Sequence, residues 1–380
     1  MAGCYTPAIL MKLLSVCSAR PNFVKLAALH HAIAAEQKRG VKIEHIIVHT
    51  GQHYDPLLSD VFFTQLKIPE PDFNLGVKGG ASREEVITLT LQAMLPVLKE
   101  EKPDLVIVYG DVNGALGAAR AAKKVGIKIA HIEAGLRSGD LDMPEEHNRI
   151  EIDQLSDLLF VTEQSGMNHL QKEGCTGEAH LVGNTMIDTL VRNRDIITQA
   201  GIVVSKRITK TSGRAFAIAT VHRPSNVDDP KVFSRVLGFL QEVSQACPVI
   251  LPAHPRLKNM LEKTGGLKNP ERTALLIIEP LDYISFLGFL QHAAFILTDS
   301  GGIQEEAVFL QKRCFTLRRN TERPSTIESG SNVLIDPSKP EDRAQVLAFA
   351  KNAQKLDVHV PELWDGHAGE RIAGIITSSC

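Results

Sequence analysis

Residues 105–133 read LVIVYGDVNGALGAARAAKKVGIKIAHIE and contain the pattern that predicts the fold. An apolar, β-branched run at Leu105–Tyr109 is followed by a helical pattern at Gly114–Val125 and by a second apolar run at Ile127–Glu133. Continuous apolar strands that alternate with helices are typical of a parallel sheet covered on both faces. The stretch is therefore predicted to be a β-α-β unit.

The same alternation continues along the chain and falls into two series of candidate strands. The first series adds Lys12–Cys17, Ile43–His49, Leu158–Thr162 and Ala179–Val182, and the second consists of Phe216–Thr220, Val249–Pro252, Leu275–Glu279, Phe295–Thr298 and Cys314–Leu317. Two such series predict an α/β protein with two doubly wound domains. A polar stretch, Ser205–Gly213, precedes the second series, and the boundary is expected within 183–212. We assign residues 1–183 to the first domain, with 1–10 as a leader outside its fold, and residues 184–361 to the second.

Composition and cysteine spacing exclude several classes of protein. Lysine plus arginine (42) nearly balance aspartate plus glutamate (44) in 380 residues, so the net charge of −2 favours neither a nucleic-acid nor a membrane partner. No stretch approaches the roughly 18 apolar residues of a membrane span. The six cysteines are scattered without a CxxC pair, which argues against a metal site and indicates reduced thiols in a cytoplasmic protein. Neither GxGxxG nor GxxxxGK[ST] occurs, so a dinucleotide oxidoreductase or a P-loop NTPase is not expected.

The most specific local motif is LTDSGGIQEE at 297–306. Ser300 stands where a helix N-cap belongs after a strand, and Gly301 and Gly302 leave the backbone open to a ligand. Exposed N–H groups at such a helix N-terminus suit an anion such as a phosphate. The alternative is a well-capped helix whose acidic first turn complements the helix dipole.

Three carboxylates in the first domain lie at or beyond predicted strand ends. They are Asp111, Glu133 and Glu145. Ligands bind at the carboxyl ends of strands in open α/β sheets, and carboxylates held together there can serve as acid or base. The alternative is that these residues cap helices or pair with Arg137 and Arg149.

Cationic and histidine side chains also lie at predicted strand ends. Arg20 and Lys25 open the first helix, where positive charge opposes the helix dipole, so an anionic ligand is one interpretation and solvated cations are the other. His222 and His254 follow successive strands of the second domain. Two such histidines facing an anion site favour ligand contact, and their spacing to cysteine or carboxylate does not suggest metal ligands.

Taken together, these segments resemble the non-hydrolysing UDP-N-acetylglucosamine 2-epimerases. The resemblance runs from about Met11 to Pro337 and rests on the ordered motifs ARPNFVK, TGQHYD, GDVN, HIEAGLR, MPEEHNR, VGNTMID, VHR, AHPR, DSGGIQEE and NTERP. It implies a GT-B-like fold with two Rossmann-like domains, an active site in the interdomain cleft, and a C-terminal helix, about 362–380, that returns to the first domain.

The resemblance also implies an activity. Enzymes of this family are isomerases that interconvert UDP-GlcNAc and UDP-ManNAc by eliminating UDP to form 2-acetamidoglucal and adding it back. That reaction needs acid/base groups near carbon 2 and an anchor for the diphosphate, and no cofactor. A cytoplasmic homodimer that acts on a UDP-sugar in polysaccharide biosynthesis is the corresponding expectation.

Family roles carry over to matching positions of this chain. The acid/base candidates are Asp111, Glu133, Glu145 and His222. The residues matched to the substrate and UDP site are Arg20, Lys25, Arg149, Ser300, Gly301, Gly302, Glu306 and Arg323, with Glu306 on the ribose hydroxyls, and His254 joins them from its strand-end position.

Three departures from the family pattern leave the sugar open. Val112-Asn113-Gly114 replaces a threonine-rich run, Ser225 replaces a common glutamate, and residues 76–82 (GVKGGAS) lack a common Arg-Gln pair. The alternatives are a 2-epimerase of UDP-2,3-diacetamido-glucuronic acid, a hydrolysing epimerase that releases ManNAc and UDP, a glycosyltransferase of the same fold, and an inactive nucleotide-sugar sensor.

Overall fold

The computed structural model describes residues 10–51, 62–77, 82–212, 215–265 and 273–379, with the backbone alone for 204–212 and 379. The chain forms two compact units. One contains the chain up to Arg192 together with Glu362–Cys380, and the other is Asn193–Pro361.

The first unit is built on a seven-stranded parallel sheet in the order β3-β2-β1-β4-β5-β6-β7. Its strands are β1 (Met11–Cys17), β2 (Ile43–His49), β3 (Phe73–Asn74), β4 (Leu105–Tyr109), β5 (Lys128–Ala134), β6 (Leu158–Val161) and β7 (Glu178–Leu181). Its helices are α1 (Arg20–Lys38), α2 (Arg83–Glu101), α3 (Asn113–Val125), α4 (Pro144–Leu155), α5 (Gln164–Lys172), α6 (Thr185–Arg192) and the C-terminal helix (Ala368–Ser379). The central strands are wholly buried, which explains their unbroken apolar runs.

The second unit has a six-stranded parallel sheet in the order β10-β9-β8-β11-β12-β13. Its strands are β8 (Ala217–Thr220), β9 (Val249–Pro252), β10 (Leu275–Ile278), β11 (Phe295–Thr298), β12 (Arg313–Thr316) and β13 (Asn332–Leu334). Its helices are α7 (Arg194–Ser212), α8 (Pro224–Val227), α9 (Pro230–Ala246), α10 (Pro255–Thr264), α11 (Tyr283–His292), α12 (Gly301–Phe309), α13 (Pro324–Glu328) and α14 (Pro340–Lys351). In both sheets the first strand lies between the second and the fourth, which is the Rossmann order, and the prediction of two doubly wound α/β domains is confirmed.

Two strands were not predicted from the sequence, and both lie at sheet edges. These are β3 and β13, which contain two and three residues. Each is too short to show the continuous apolar run by which the other strands were predicted.

The division between the units, after Arg192, lies within the expected range of 183–212 and nine residues beyond the assigned end at 183. Helix α6 belongs to the first unit, where the Thr189 hydroxyl donates to the Val24 carbonyl of α1 at 2.7 Å. The polar stretch that precedes the second series is helical up to Ser212. Helix α7 crosses α11 closely, because a Cβ on Gly288 would lie 2.7 Å from the Gly201 nitrogen. Of the expected leader, only Leu10 is described, and it is exposed.

The C-terminal segment is anchored on the first unit by specific contacts. The buried Trp364 indole donates to the Thr162 carbonyl at 2.9 Å. The Asp188 carboxylate of α6 accepts from the first two N–H groups of the C-terminal helix, at Ala368 (3.1 Å) and Gly369 (2.6 Å). A carboxylate at a helix N-terminus accepts from N–H groups that have no partner within the helix, and its negative charge interacts favourably with the helix dipole. Among the described helices, none has the length and apolarity that crossing a membrane requires.

Candidate active site

In the first unit, Glu133 lies near the carboxyl end of β5 in a backbone conformation that is unusual for its residue type. Its φ is +76°, and the pairing of β5 with β6 shifts register between Ile132 and Ala134. A left-handed conformation costs a non-glycine residue roughly 1–2 kcal/mol, and bulges redirect side chains at sites of function. The left-handed backbone at Glu133 therefore lowers the stability of β5, and together with the register shift it sets the direction of the Glu133 side chain.

The Glu133 carboxylate forms a buried ion pair with the Lys25 ammonium of α1. Both contact Gly110 at the end of the neighbouring strand β4: a Cβ on Gly110 would lie 2.9 Å from Glu133 Oε2 and 3.1 Å from Lys25 Nζ. Gly110 also has a φ of +63°. Glycine at this position permits the positive φ of the turn, and its lack of a Cβ leaves room for the ion pair. Lys25, expected at an anionic ligand, has a carboxylate partner inside the protein.

Asp111 follows Gly110 directly and pairs with Arg149 of α4. The Arg149 side chain is 4% exposed and its guanidinium also contacts Glu146. The Glu146 carboxylate accepts from the backbone N–H groups of Ser138 (3.0 Å) and Gly139 (2.9 Å). Burial alone would raise the pKa of Glu146, but the Ser138 N–H and the Arg149 guanidinium hold it below its usual value. Arg149 thus lies between two carboxylates, as the pairing alternative anticipated for Asp111.

The structure places Glu145 apart from these buried contacts. Glu145 is exposed in the first turn of α4 and makes no hydrogen bond or ion pair with any described residue. Adjacent helical residues point in directions about 100° apart, so Glu146 faces inward where Glu145 does not. Sequence reasoning missed Glu146, although its i,i+3 spacing to Arg149 is a detectable signal.

A fully buried histidine–aspartate pair supports the ends of β4 and β5. His131 Nδ1 lies 2.6 Å from Asp153, and its Nε2 lies 2.9 Å from the Gly110 carbonyl oxygen. Asp153 also contacts Arg137 at 2.8 Å and accepts from the Gly135 N–H at 3.1 Å. Through these contacts, His131, Gly135 and Arg137 of the HIEAGLR motif hold the backbone next to Gly110 and Glu133 in place.

In the second unit, His222 lies beyond the end of β8 beside Asp299, which follows β11. His222 Nδ1 is 2.9 Å from Asp299 Oδ1, and the Asp299 side chain is fully buried. The carboxylate also accepts from the Arg223 N–H (2.9 Å) and from Asn226 Nδ2 (3.0 Å). Burial alone would raise the pKa of Asp299, but the His222 imidazole and these donors lower it to about 2. Sequence reasoning missed Asp299, whose position at a strand end was the available signal.

The motif at 297–306 does open a helix, α12, directly after β11. Ser300 occupies the N-cap position without a side-chain capping bond. A Cβ on Gly301 would lie 2.6 Å from Arg323 Nη1 and 2.7 Å from Glu322 Oε1, so the glycine admits a buried ion pair. Arg323 Nε also lies 2.9 Å from Glu305. Gly302 is half-buried beside it in the first turn.

The capped-helix alternative expected an acidic first turn, and this expectation was wrong. Because α12 begins at Gly301, its first turn contains no acidic residue, and Glu305 and Glu306 come after it. Glu306 is buried and accepts a hydrogen bond from the Tyr283 hydroxyl at 3.0 Å. Burial raises the pKa of Glu306 to about 8, and the nearby Glu305 carboxylate adds to the effect while the Tyr283 hydroxyl opposes it.

The remaining predicted residues are more accessible. Arg20 is half-buried at the start of α1. His254 is exposed at the N-cap of α10, where its Nδ1 accepts from the Arg256 N–H at 3.3 Å, and its ring lies 5.9 Å from that of His222. Within the described ranges, no group of three or more His, Cys, Asp or Glu side chains is arranged to hold a metal ion.

A protein-family model described as UDP-N-acetylglucosamine 2-epimerase matches residues 35–377. The chain belongs to the UDP-N-acetylglucosamine 2-epimerase family. A UDP-2,3-diacetamido-2,3-dideoxy-D-glucuronate 2-epimerase from Pseudomonas aeruginosa is 38% identical over 87% of this chain and 89% of its own length. A UDP-N-acetylglucosamine 2-epimerase from Methanococcus maripaludis is 37% identical over 94% of this chain and 96% of its own length.

The epimerase family also includes solved structures with the same fold. The crystal structure of Methanocaldococcus jannaschii UDP-GlcNAc 2-epimerase, in complex with UDP-GlcNAc and UDP, has a TM-score of 0.86 and 34% identity over 97% of this chain and all of that chain. These structural similarities confirm the GT-B-like class of the prediction.

Proposed function

We propose that this epimerase-family protein catalyses the reversible, non-hydrolysing interconversion of UDP-GlcNAc and UDP-ManNAc. The proposal rests on two carboxylates of the first unit that each contact a buried cation. Glu133 contacts Lys25, and Asp111 contacts Arg149. Lysine and arginine partners favour the ionised carboxylates, so a base is available at neutral pH.

The proposed chemistry breaks two bonds of the substrate and re-forms them. A carboxylate removes the proton from carbon 2, the bond from carbon 1 to the diphosphate oxygen breaks, and UDP and 2-acetamidoglucal result. UDP then adds back to carbon 1 while a proton is delivered to the opposite face of carbon 2. Asp111 and Glu133 are the proposed acid/base groups for carbon 2, with His222 as a further candidate. Glu145, which is exposed, is proposed to contact the substrate directly.

The second unit is proposed to bind UDP. The N–H groups at the start of α12, beside Ser300, Gly301 and Gly302, suit the diphosphate, because a helix N-terminus favours an anion. The Glu306 carboxyl suits the ribose hydroxyls as an acceptor. His222 is proposed to contact the departing phosphate through Nε2 and to act there as an acid/base group. His254 and Arg323 of the second unit and Arg20 of the first complete the proposed set.

A second candidate substrate is UDP-2,3-diacetamido-glucuronic acid. The P. aeruginosa relative, which carries the name of that activity, is as similar to this chain as the M. maripaludis UDP-GlcNAc epimerase. The same carbon 2 chemistry applies to both sugars. Parallel assays with the two UDP-sugars therefore decide the substrate by the ratio of their kcat/KM values.

Incubation with UDP-GlcNAc in D₂O, followed by proton NMR, tests the reaction. Reversible epimerisation replaces the carbon 2 hydrogen by deuterium in both epimers while the UDP-sugar stays intact. Accumulation of free ManNAc and UDP would instead identify a hydrolysing enzyme. Unchanged spectra with both candidate sugars would refute the epimerase proposal, and turnover only with an added acceptor would identify a transferase.

The protein is further proposed to be a cytoplasmic homodimer. Cys17, Cys175, Cys247 and Cys314 are free thiols, which suits a reducing compartment. Light scattering of the purified chain measures the mass, and a monomer at micromolar concentration would contradict the dimer. Fractionation of the source cells tests the location.

A further inference from the structure

We infer that Asp299 is a positioning residue that keeps the proton of neutral His222 on Nδ1 and so leaves Nε2 as the nitrogen that meets the substrate. This inference rests on the proposed function for its kinetic consequence. Its structural content, the tautomer of His222, can be measured without turnover.

The first step concerns the hydrogen bonds of the Asp299 carboxylate. Oδ2 accepts from the Arg223 N–H (2.9 Å) and from Asn226 Nδ2 (3.0 Å), and the His222 N–H is shared between Oδ2 (3.0 Å) and Oδ1 (3.2 Å). Oδ1 faces His222 Nδ1 at 2.9 Å. An ionised carboxylate can only accept hydrogen bonds, so Nδ1 must carry a hydrogen. Because Asp299 is fully buried and holds donors from three residues, it cannot turn away from the imidazole.

The second step concerns the other nitrogen. The His222 side chain is 40% exposed, whereas the Asp299 side chain is fully buried. Nε2 lies on the side of the imidazole ring that faces away from Asp299. The nitrogen that remains for a ligand is therefore Nε2. In the neutral ring it presents a lone pair, and in the protonated ring it donates to a phosphate oxygen.

The charged and titratable groups around this pair do not compete for Nδ1. His254 faces the His222 ring at 5.9 Å, and its own Nδ1 accepts from the Arg256 N–H. The Arg223 guanidinium donates to the Asp299 carbonyl oxygen at 2.9 Å and lies 3.8 Å from Glu322. The carboxylate of Asp299 is thus the acceptor that determines the ring's orientation.

Asp299→Asn should reverse the tautomer for a geometric reason. The Arg223 N–H and Asn226 Nδ2 both donate to the Oδ2 position, and the His222 N–H lies nearer to it than to Oδ1, so the amide oxygen must occupy it and the amide NH₂ then faces His222 Nδ1. Two donors cannot bond to each other, so Nδ1 becomes the acceptor and the proton moves to Nε2. The corresponding aspartate-to-asparagine change in a serine protease lowers kcat on the order of 10⁴-fold through the wrong tautomer.

The first measurement is ¹⁵N NMR of histidine-labelled full-length protein at a pH where His222 is neutral, with His222→Gln identifying the resonances. We expect native His222 to be protonated on Nδ1 and Asp299→Asn to be protonated on Nε2. A native ring protonated on Nε2 overturns the inference, even if the protein shows no epimerase activity. Because the native chain alone can decide, a variant that fails to fold does not prevent the test.

The second measurement is a double-mutant cycle in epimerisation. Asp299→Asn should lower kcat at least 100-fold in the native background and less than about threefold in the His222→Gln background, with UDP affinity retained. Asp228→Asn, an exposed carboxylate-to-amide change in the same unit, is the matched control and should keep native turnover. Equal losses in both backgrounds would show a merely structural role and overturn the inference.

Discussion

The Lys25 ammonium contacts the Glu133 carboxylate beside Gly110, and both side chains are 7% exposed. The ion pair joins the start of α1 to the bulged end of β5 across the end of β4. It therefore connects the stability of the first unit to the charge of a proposed catalytic group.

Lys25→Met should destabilise the first unit, because it leaves a buried carboxylate without its cation. Breaking a buried pair from one side costs roughly 3–5 kcal/mol of unfolding free energy. The variant should regain stability as pH falls, because protonation removes the uncompensated charge. Urea unfolding at several pH values measures this, with Lys25→Met/Glu133→Gln as the control that should recover most of the loss. If Lys25→Met has the same unfolding free energy as the native protein at pH 7, the buried ion pair between Lys25 and Glu133 is contradicted.

Asp111→Asn and Glu133→Gln should each lower epimerisation by about 10²–10⁴-fold, the usual cost of losing a positioned acid or base. UDP affinity should stay near native, since the proposed diphosphate and ribose contacts at the start of α12 and at Glu306 belong to the second unit. Steady-state kinetics and calorimetry with UDP are the measurements. Glu100→Gln, an exposed residue of α2, is the matched control for loss of one carboxylate. Native turnover in both site variants would remove them from the mechanism.

Glu145→Gln and Glu146→Gln form a matched pair that separates substrate contact from structural support. Glu146 holds Arg149 and two backbone N–H groups in a buried position, so Glu146→Gln should cost about 2–4 kcal/mol. Glu145→Gln should change the unfolding free energy by less than about 0.5 kcal/mol. Chemical denaturation provides both values. If Glu145→Gln is stable yet inactive, Glu145 acts on the substrate, and equal destabilisation of the two variants would contradict the assigned orientations.

Gly301→Ala should displace the buried ion network next to the proposed diphosphate site. The new Cβ would lie within 2.7 Å of Arg323 Nη1 and Glu322 Oε1, and overpacking of this kind costs about 1–3 kcal/mol. UDP affinity should also fall, because the displaced side chains lie beside the proposed diphosphate site. The control is Gly238→Ala in α9, where a Cβ meets nothing within 4 Å and helix propensity predicts a gain of about 0.5–1 kcal/mol. A fully stable Gly301→Ala would show that the network can move freely.

UDP binding should release a proton from Glu306. The pKa of this carboxyl is raised to about 8 in the free protein, so it is mostly protonated at pH 7. Donation from ribose hydroxyls favours the ionised form, so UDP affinity should fall as pH decreases below about 8, by at most tenfold per pH unit. Calorimetry at pH 7 in two buffers of different ionisation enthalpy measures the released proton. Glu306→Gln should show no release, and a buffer-independent enthalpy in the native protein would contradict the assignment.

The local sequence determined the class of fold and the position of most elements. Buried central strands such as Leu105–Tyr109 and Val249–Pro252 have the predicted bounds, because a strand covered on both faces requires a continuous apolar run. The motifs also predicted the epimerase family, because they are short ordered segments that the local sequence contains in full. The edge strands β3 and β13 contain only two and three residues, so they are defined by pairing with a neighbouring strand, which a local pattern does not contain.

Only the tertiary structure decided which charged side chains meet. Lys25 and Glu133 are far apart in sequence, as are His222 and Asp299, and neither pairing follows from spacing. The same holds for Glu145 and Glu146, which are identical in type and adjacent in the chain. Their different environments follow from the rotation between neighbouring helical residues and from the location of Arg149 and the 138–139 backbone. Side-chain chemistry is encoded residue by residue, whereas burial and ion pairing arise when parallel strands bring distant chain segments to one sheet edge.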